Sequence, residues 1–196
     1  DLKVTSGRAR VITMTSGSLV TGEEILEVPV NDSGCFTGGG SSDLLKLVVV
    51  ERHQGTGRIG LGLVKGYGLR GGAAASSIAH DSHNLIAVGD DDAAILTALR
   101  LLAGSGGGIS LAAAGGESLG VLPLPLGGLM TDADGQDTAA KLDGLIEIAH
   151  ERLGVTGGMD PFMPLSFLAL PVIPDLKLTA RGLFDVRRFE FVPIEA

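Results

Sequence analysis

The sequence predicts an α+β domain: layered mixed sheets with two main helices, plus an N-terminal β segment. Three observations carry this. Several short β-prone runs are bounded by glycine and polar turns. Only two stretches, opening near Asp90 and near Asp137, space their apolar residues as a helix does. The order is strands, helix, strands, helix, tail, without the strict alternation of a doubly wound sheet.

The elements follow in order. Residues 2–30 are expected to be β: Val11 to Met14 is β-prone, Ser16-Gly17-Ser18 turns the chain, and Ile25 to Val30 resumes an extended pattern. The run from Asn31 to Asp43 is a loop, and its stretch Gly38 to Ser42 divides the chain into residues 1–32 and 33–196. Leu44 to Val50 is continuously apolar, as a buried strand is. Arg58 to Val64 is a second strand, turned by Gly66-Tyr67-Gly68. Ser76 to Ala79 and Leu85 to Val88 are two more. Asp90-Asp91-Asp92 opens a helix, because carboxylates cap free amides and complement the helix dipole. Ile95, Leu96, Leu99 and Leu102 form its apolar face and Gly104 ends it. Ile109 to Ala113 and Leu119 to Leu122 make a hairpin around Gly115-Gly116, stopped by Pro123 and Pro125. The second helix runs from about Asp137 to Leu153, with Leu142, Ile146, Ala149 and Leu153 on one face and Gly154 as its stop. The tail from Asp160 is apolar and broken by prolines, closing with a strand from Phe189 to Val192.

Composition limits the function classes. Hydrophobic residues make up 44% of the 196, enough for a core, and with no Trp that core is built from Leu, Val, Ile and Ala. A formal net charge of −8 argues against nucleic acid or an anionic membrane surface as partner. The lone Cys35 excludes an internal disulfide and fits a reducing compartment, hence a cytoplasmic location. No apolar run approaches the roughly 20 residues of a membrane-crossing helix. Phe162 to Ile173 is the longest candidate and contains Pro164 and Pro171. No signal-peptide pattern is present, and a start at Asp1 suggests a piece of a longer chain.

The densest chemistry lies in Ala79-His80-Asp81-Ser82-His83-Asn84, a polar run between apolar flanks. Such a run is either satisfied internally or used. His80 and His83 could converge on a metal with Asp81 if the segment is a loop. A polar turn held by Asp, Ser and Asn is the simpler local reading. Ser82 is an unlikely-looking nucleophile on geometry, since neighbouring strand residues face opposite ways and no G-x-S-x-G elbow exists. Gly55-Thr56-Gly57-Arg58-Ile59-Gly60 matches a dinucleotide fingerprint, with Asp81 following, but the glycine-rich β-like sequence after it cannot start the required helix. A hairpin turn accounts for it. Glu51-Arg52-His53 places charges at a strand end. His150, Tyr67 and Phe162 are read as packing residues.

Several longer strings occur together and in order. They are Val50 to His53, Thr56 to Gly62, Val64 to Leu69, Ala79 to Asn84, Leu122 to Pro125 with Gly128-Leu129-Met130, Asp160 to Met163, Leu168 to Pro174, Leu176 to Thr179, and Arg181 to Val186. On these the chain resembles the C-terminal region of bacterial adenine deaminases of the amidohydrolase superfamily, closely over 44–196 and loosely over 1–30. The resemblance implies conversion of adenine and water to hypoxanthine and ammonia by a hydrolase of purine metabolism that uses iron or manganese. It implies that the metal ligands lie mainly in an N-terminal barrel, absent here along with any His-x-His motif. Residues 1–32 would then close the parent's small β domain.

Under this resemblance His80, Asp81 and His83 are the candidate catalytic residues and the candidate metal ligands. Ser82, Asn84, Glu51, Arg52 and Lys65 are the candidates for substrate binding. The expected partner is the barrel, in cis or as a separate subunit; a homo-oligomer is also compatible. The chain alone is expected to hold no metal and not to deaminate adenine. Two alternatives stand beside this: an assembly module docking through Phe162 to Ile173, and an independent metallohydrolase built on His80, Asp81 and His83.

Overall fold

A computed structural model describes residues 1–38, 43–155 and 159–196. Residues 39–42, most of the expected dividing loop, lie outside the described residues. The first strands are β1 (Arg8–Thr13), β2 (Gly22–Glu27), β3 (Leu44–Val50), β4 (Ile59–Lys65), β5 (Gly72–Ser76) and β6 (Leu85–Gly89). Helix α1 (Asp92–Ser105), the hairpin β7 (Gly108–Ala113) and β8 (Glu117–Pro123), and helix α2 (Gly135–Leu153) follow. The chain closes with α3 (Met163–Leu168), β9 (Leu176–Thr179), β10 (Gly182–Asp185) and β11 (Glu190–Phe191).

Strands β1 to β8 form one mixed sheet in the order β2-β1-β4-β3-β6-β5-β7-β8, and β9 to β11 form a small second sheet. Every pairing is antiparallel except β1 with β4. The α+β expectation therefore holds. β1 and β2, within the segment set apart at residue 32, join the same sheet as the rest.

Side-chain alternation builds two cores from one sheet. Ala74, Ile86, Val88 and Leu111 face α2, meeting Leu145, Ala149 and Leu153. Ala73, Ala75, Ala87 and Ala112 face α1, meeting Ala94, Ile95, Ala98 and Leu102. The two helices thus lie on opposite faces. α3 and the small sheet extend the α2 layer through Leu165, Leu168, Leu178 and Leu183. On the α1 face the N-terminal segment covers β1 and β4 with Leu2, Val4 and Phe36. Between that cover and α1 an apolar groove of about 550 Å³ remains, lined by Val48, Val50, Ile59, Leu61, Leu96 and Leu99. No described helix is long and apolar enough to cross a membrane.

Four expectations need correction. The strand placed at Ser76 to Ala79 is instead Gly72–Ser76, because an alanine run with weak β preference is held in the sheet by burial on both faces. Helix α1 passes through Gly104 and stops at Gly106, whose φ of 77° allows its amide to bond Leu102 O. Leu96 is not on the buried face; it is exposed beside the groove. The tail holds more than its last strand: α3 and the β9–β10 hairpin precede it.

Candidate functional site

Register gathers the polar motifs at one edge of the sheet. Val50 pairs Ile59 and Leu85, Ser76 pairs Ile86 and Ile109, and Gly108 pairs Pro123. The β3–β4 connection, the β5–β6 connection and the chain after β8 therefore emerge side by side. Residues 80–84 belong to the β5–β6 connection. Lys65 pairs Leu44, at the far end of the same hairpin, and Lys65 Nζ bonds Glu24 Oε2 at 3.0 Å. Six residues of strand separate it from Ile59, about 20 Å. The structure does not bring Lys65 to the other candidates.

The loop is fixed mainly through its backbone. His80 N donates to Ser166 O of α3 at 2.9 Å, and the His80 ring lies 5.1 Å from that of Phe167. His83 N donates to Ala79 O at 2.5 Å, with His83 itself at φ 48°, a left-handed conformation that few side chains adopt. The His80 and Asp81 side chains are 45% and 85% exposed, with Nδ1 and Oδ1 3.5 Å apart, so both can meet an incoming molecule. Ser82 is exposed, and among the described residues its Oγ accepts only a long 3.5 Å bond from Asn84 N. This chain supplies no hydrogen bond from a base to the Ser82 hydroxyl among its described residues. Asn84 is buried, and its Oδ1 and His83 Nδ1 have no hydrogen-bond partner among the described residues. Desolvation, then the neighbouring His80, hold the His83 imidazole below the usual histidine range despite the opposing pull of Asp81. His83 is therefore neutral near pH 7.

Glu51 and Arg52 are present at this edge, with the Glu51 carboxylate and two of the Arg52 nitrogens bonded within the chain. The Glu51 carboxylate accepts from His53 N, Gln54 N, Thr56 N and Thr56 Oγ1, at 2.6 to 3.0 Å. These bonds, the Thr56 amide foremost, hold it at about 2. The fingerprint-like glycines Gly55 and Gly57, both at positive φ, shape this loop, so the G-x-G-x-x-G string is a hairpin connection. Arg52 Nε donates to His83 O and Arg52 Nη2 to Gly127 O, each at 2.6 Å. His53 Nε2 bonds Ser82 O at 2.8 Å.

Glu51, His53, Arg58, Ser82, Asn84 and Arg181 line a cleft of about 320 Å³ between this edge and the β9–β10 turn. Arg181 stacks 4.7 Å above the Phe191 ring. Sequence reasoning missed Ser77, Phe167 and Gly127-Gly128 as parts of the site. The glycine pair was the only local sign, and its partner lies 75 positions away. Tyr67 and His150 prove to be structural. Tyr67 is buried and donates to Pro161 O, burial pushing its phenol up, and His150 Nδ1 bonds Val155 O at 2.6 Å beyond the end of α2.

The arrangement can hydrogen-bond a polar planar molecule and exchange a proton through His80. As a metal centre it does not fit. The His80 and His83 rings stand 6.1 Å apart by centroids, and among the described residues no three His, Cys, Asp or Glu side chains converge on one point. No metal-dependent step is derived from these residues.

Residues 18–190 match the family model described as the adenine deaminase C-terminal domain. A protein of Nitratidesulfovibrio vulgaris (Hildenborough) named adenine deaminase is 52% identical over 193 residues, covering 98% of this chain and 33% of that protein. One from Geobacillus kaustophilus, of the same name, is 48% identical over 199 residues, covering all of this chain and 34% of its own length. A third, from Bacillus velezensis, is 45% identical over 191 residues, covering 96% and 32%. The chain spans about a third of the length of the curated relatives it matches.

Proposed function

Since the chain belongs to the adenine deaminase C-terminal domain family, we propose that it serves as that domain of a cytoplasmic enzyme converting adenine and water to hypoxanthine and ammonia. Its part is the loop 80–84, offered to an active site completed by the remainder of the enzyme, where iron or manganese is bound. The supporting observation is the loop itself: His80 and Asp81 are solvent-facing while their backbone is anchored to α3 and to the β3–β4 connection. His80 carries a proton between solvent and the purine, and Asp81 orients its imidazole. His83 Nδ1 and Asn84 Oδ1 are buried without partners among the described residues, so it is their other polar atoms, His83 Nε2 and Asn84 Nδ2, that provide hydrogen bonds toward the base.

The assembly-module alternative would rest on the exposed part of the tail, Met163 and Val172. The tail residues Phe162, Leu165, Leu168 and Ala169 are buried against this chain's own sheet. The test is kinetic. In the full-length enzyme, His80→Ala and His83→Ala should each lower kcat by more than about tenfold, the low end of what a positioned acid or base contributes. Wild-type-like turnover in both variants would remove the loop from the mechanism.

A further inference from the structure

Two neighbouring side chains from one connection hold two consecutive carbonyls of another. His53 reaches Ser82 O and Arg52 reaches His83 O. The second arm of the Arg52 guanidinium reaches Gly127 O in the chain after β8. We propose that Arg52, seconded by His53, is a positioning residue for deamination: it sets the backbone of Ser82 and His83 and thereby the reach of the catalytic loop. This rests on the reading of loop 80–84 as part of the active site, and it replaces the expectation that Arg52 binds substrate.

Four observations carry it. Among the described residues Arg52 pairs with no carboxylate, and its Nε and Nη2 are directed at carbonyl oxygens of two other segments. A planar guanidinium can serve two diverging acceptors at fixed geometry, which an ammonium cannot. Room for it exists because position 128 is glycine: a Cβ there would stand 2.5 Å from Arg52 Nη2. Gly128 is itself held, its carbonyl accepting from Ser77 Oγ at 2.5 Å while Ser77 Oγ accepts from Gly108 N at 2.7 Å. Glu51 fixes the other end by organising the loop that carries Arg52 and His53. A catalytic loop with one residue in a left-handed conformation is thus over-determined from three directions.

The experiment uses the full-length enzyme. Arg52→Ala should lower kcat by about tenfold to hundredfold, the cost of a misplaced catalytic group. KM for adenine should change by less than about threefold, since Arg52 makes no contact with the base. Added guanidinium ion should restore several-fold of the lost turnover in Arg52→Ala and none in His80→Ala. Arg52→Lys, which keeps the charge but not the fork, should fold normally and fall between wild type and Arg52→Ala. In Arg52→Ala the His83 and Asn84 amides should exchange hydrogen at least about tenfold faster while those of β6 stay unchanged. Wild-type kcat in Arg52→Ala, a loss that guanidinium fails to restore, or unchanged exchange at His83 overturns the proposal. If His80→Ala is inactive while Arg52→Ala is normal, the positioning role alone falls. If both are normal, the catalytic reading of the loop falls with it.

Discussion

Lys177 is fully buried in β9, and its ammonium donates to Leu19 O at 3.2 Å. Burial lowers its pKa to about 8, against the opposing pull of Asp175. The unfolded chain keeps a lysine near the ordinary value of about 10.4. Between those two values the unfolded state binds more protons, so stability rises with pH from about 8 toward about 10.4. Lys177→Met removes the buried charge at similar volume and is expected to raise stability at pH 7 by on the order of 1 kcal/mol and to flatten that alkaline rise; urea unfolding at pH 7 and pH 10 measures both. Single residues were only partly legible beforehand. His80 to Asn84 announced themselves as a polar run in apolar sequence, and they do form one exposed-and-anchored loop. Glu51 and Arg52 were found, but their contacts within the chain were not, because local spacing cannot show that Arg52 meets a carbonyl 31 positions on. Lys65 was named with them as a substrate-binding candidate, whereas antiparallel register carries it to the opposite edge.

At the scale of elements, acidic caps and periodicity located both helices, though not the end of α1 or the exposure of Leu96. Asp91 caps α1 through Ala94 N at 2.7 Å, and Asp134 caps α2 through Gln136 N at 2.8 Å. What periodicity could not reveal were elements made by contact. β9 and β10 form a hairpin pressed onto β4, where a Cβ at Gly60 would lie 1.9 Å from Thr179 O. That backbone-to-backbone approach makes a paired prediction. Gly60→Ala should cost about 1–3 kcal/mol, as other overpacked sites do. Gly104→Ala, inside α1 with nothing within 4 Å of its Cβ, should gain about 0.5–1 kcal/mol from helix preference alone. Urea midpoints of the two variants should move in opposite directions, and a neutral Gly60→Ala would mean that the small sheet is not seated as described.

For the molecule as a whole, kinship was legible because many ordered strings must agree at once. The strand order was not, since β1 beside β4 and β5 between β6 and β7 are long-range pairings with no local mark. The site edge is one-sided: three connections supply polar groups and none completes a metal centre among the described residues. Elemental analysis of the purified 196-residue chain is expected to find far less than one metal ion per molecule; a full equivalent lost on His80→Ala would revive the independent metallohydrolase. A last consequence comes from β5. Its three successive alanines sit between α1 and α2 with nothing larger to fill the gap, and the strand runs directly into the loop that bears His80. It acts as a shim. The thickness of the sandwich at that point is set by methyl groups, and so is the height at which the loop leaves the sheet. A bulkier residue would jack one helix outward and tilt the loop with it, so the placement of His80 is written in the smallest side chains of the core.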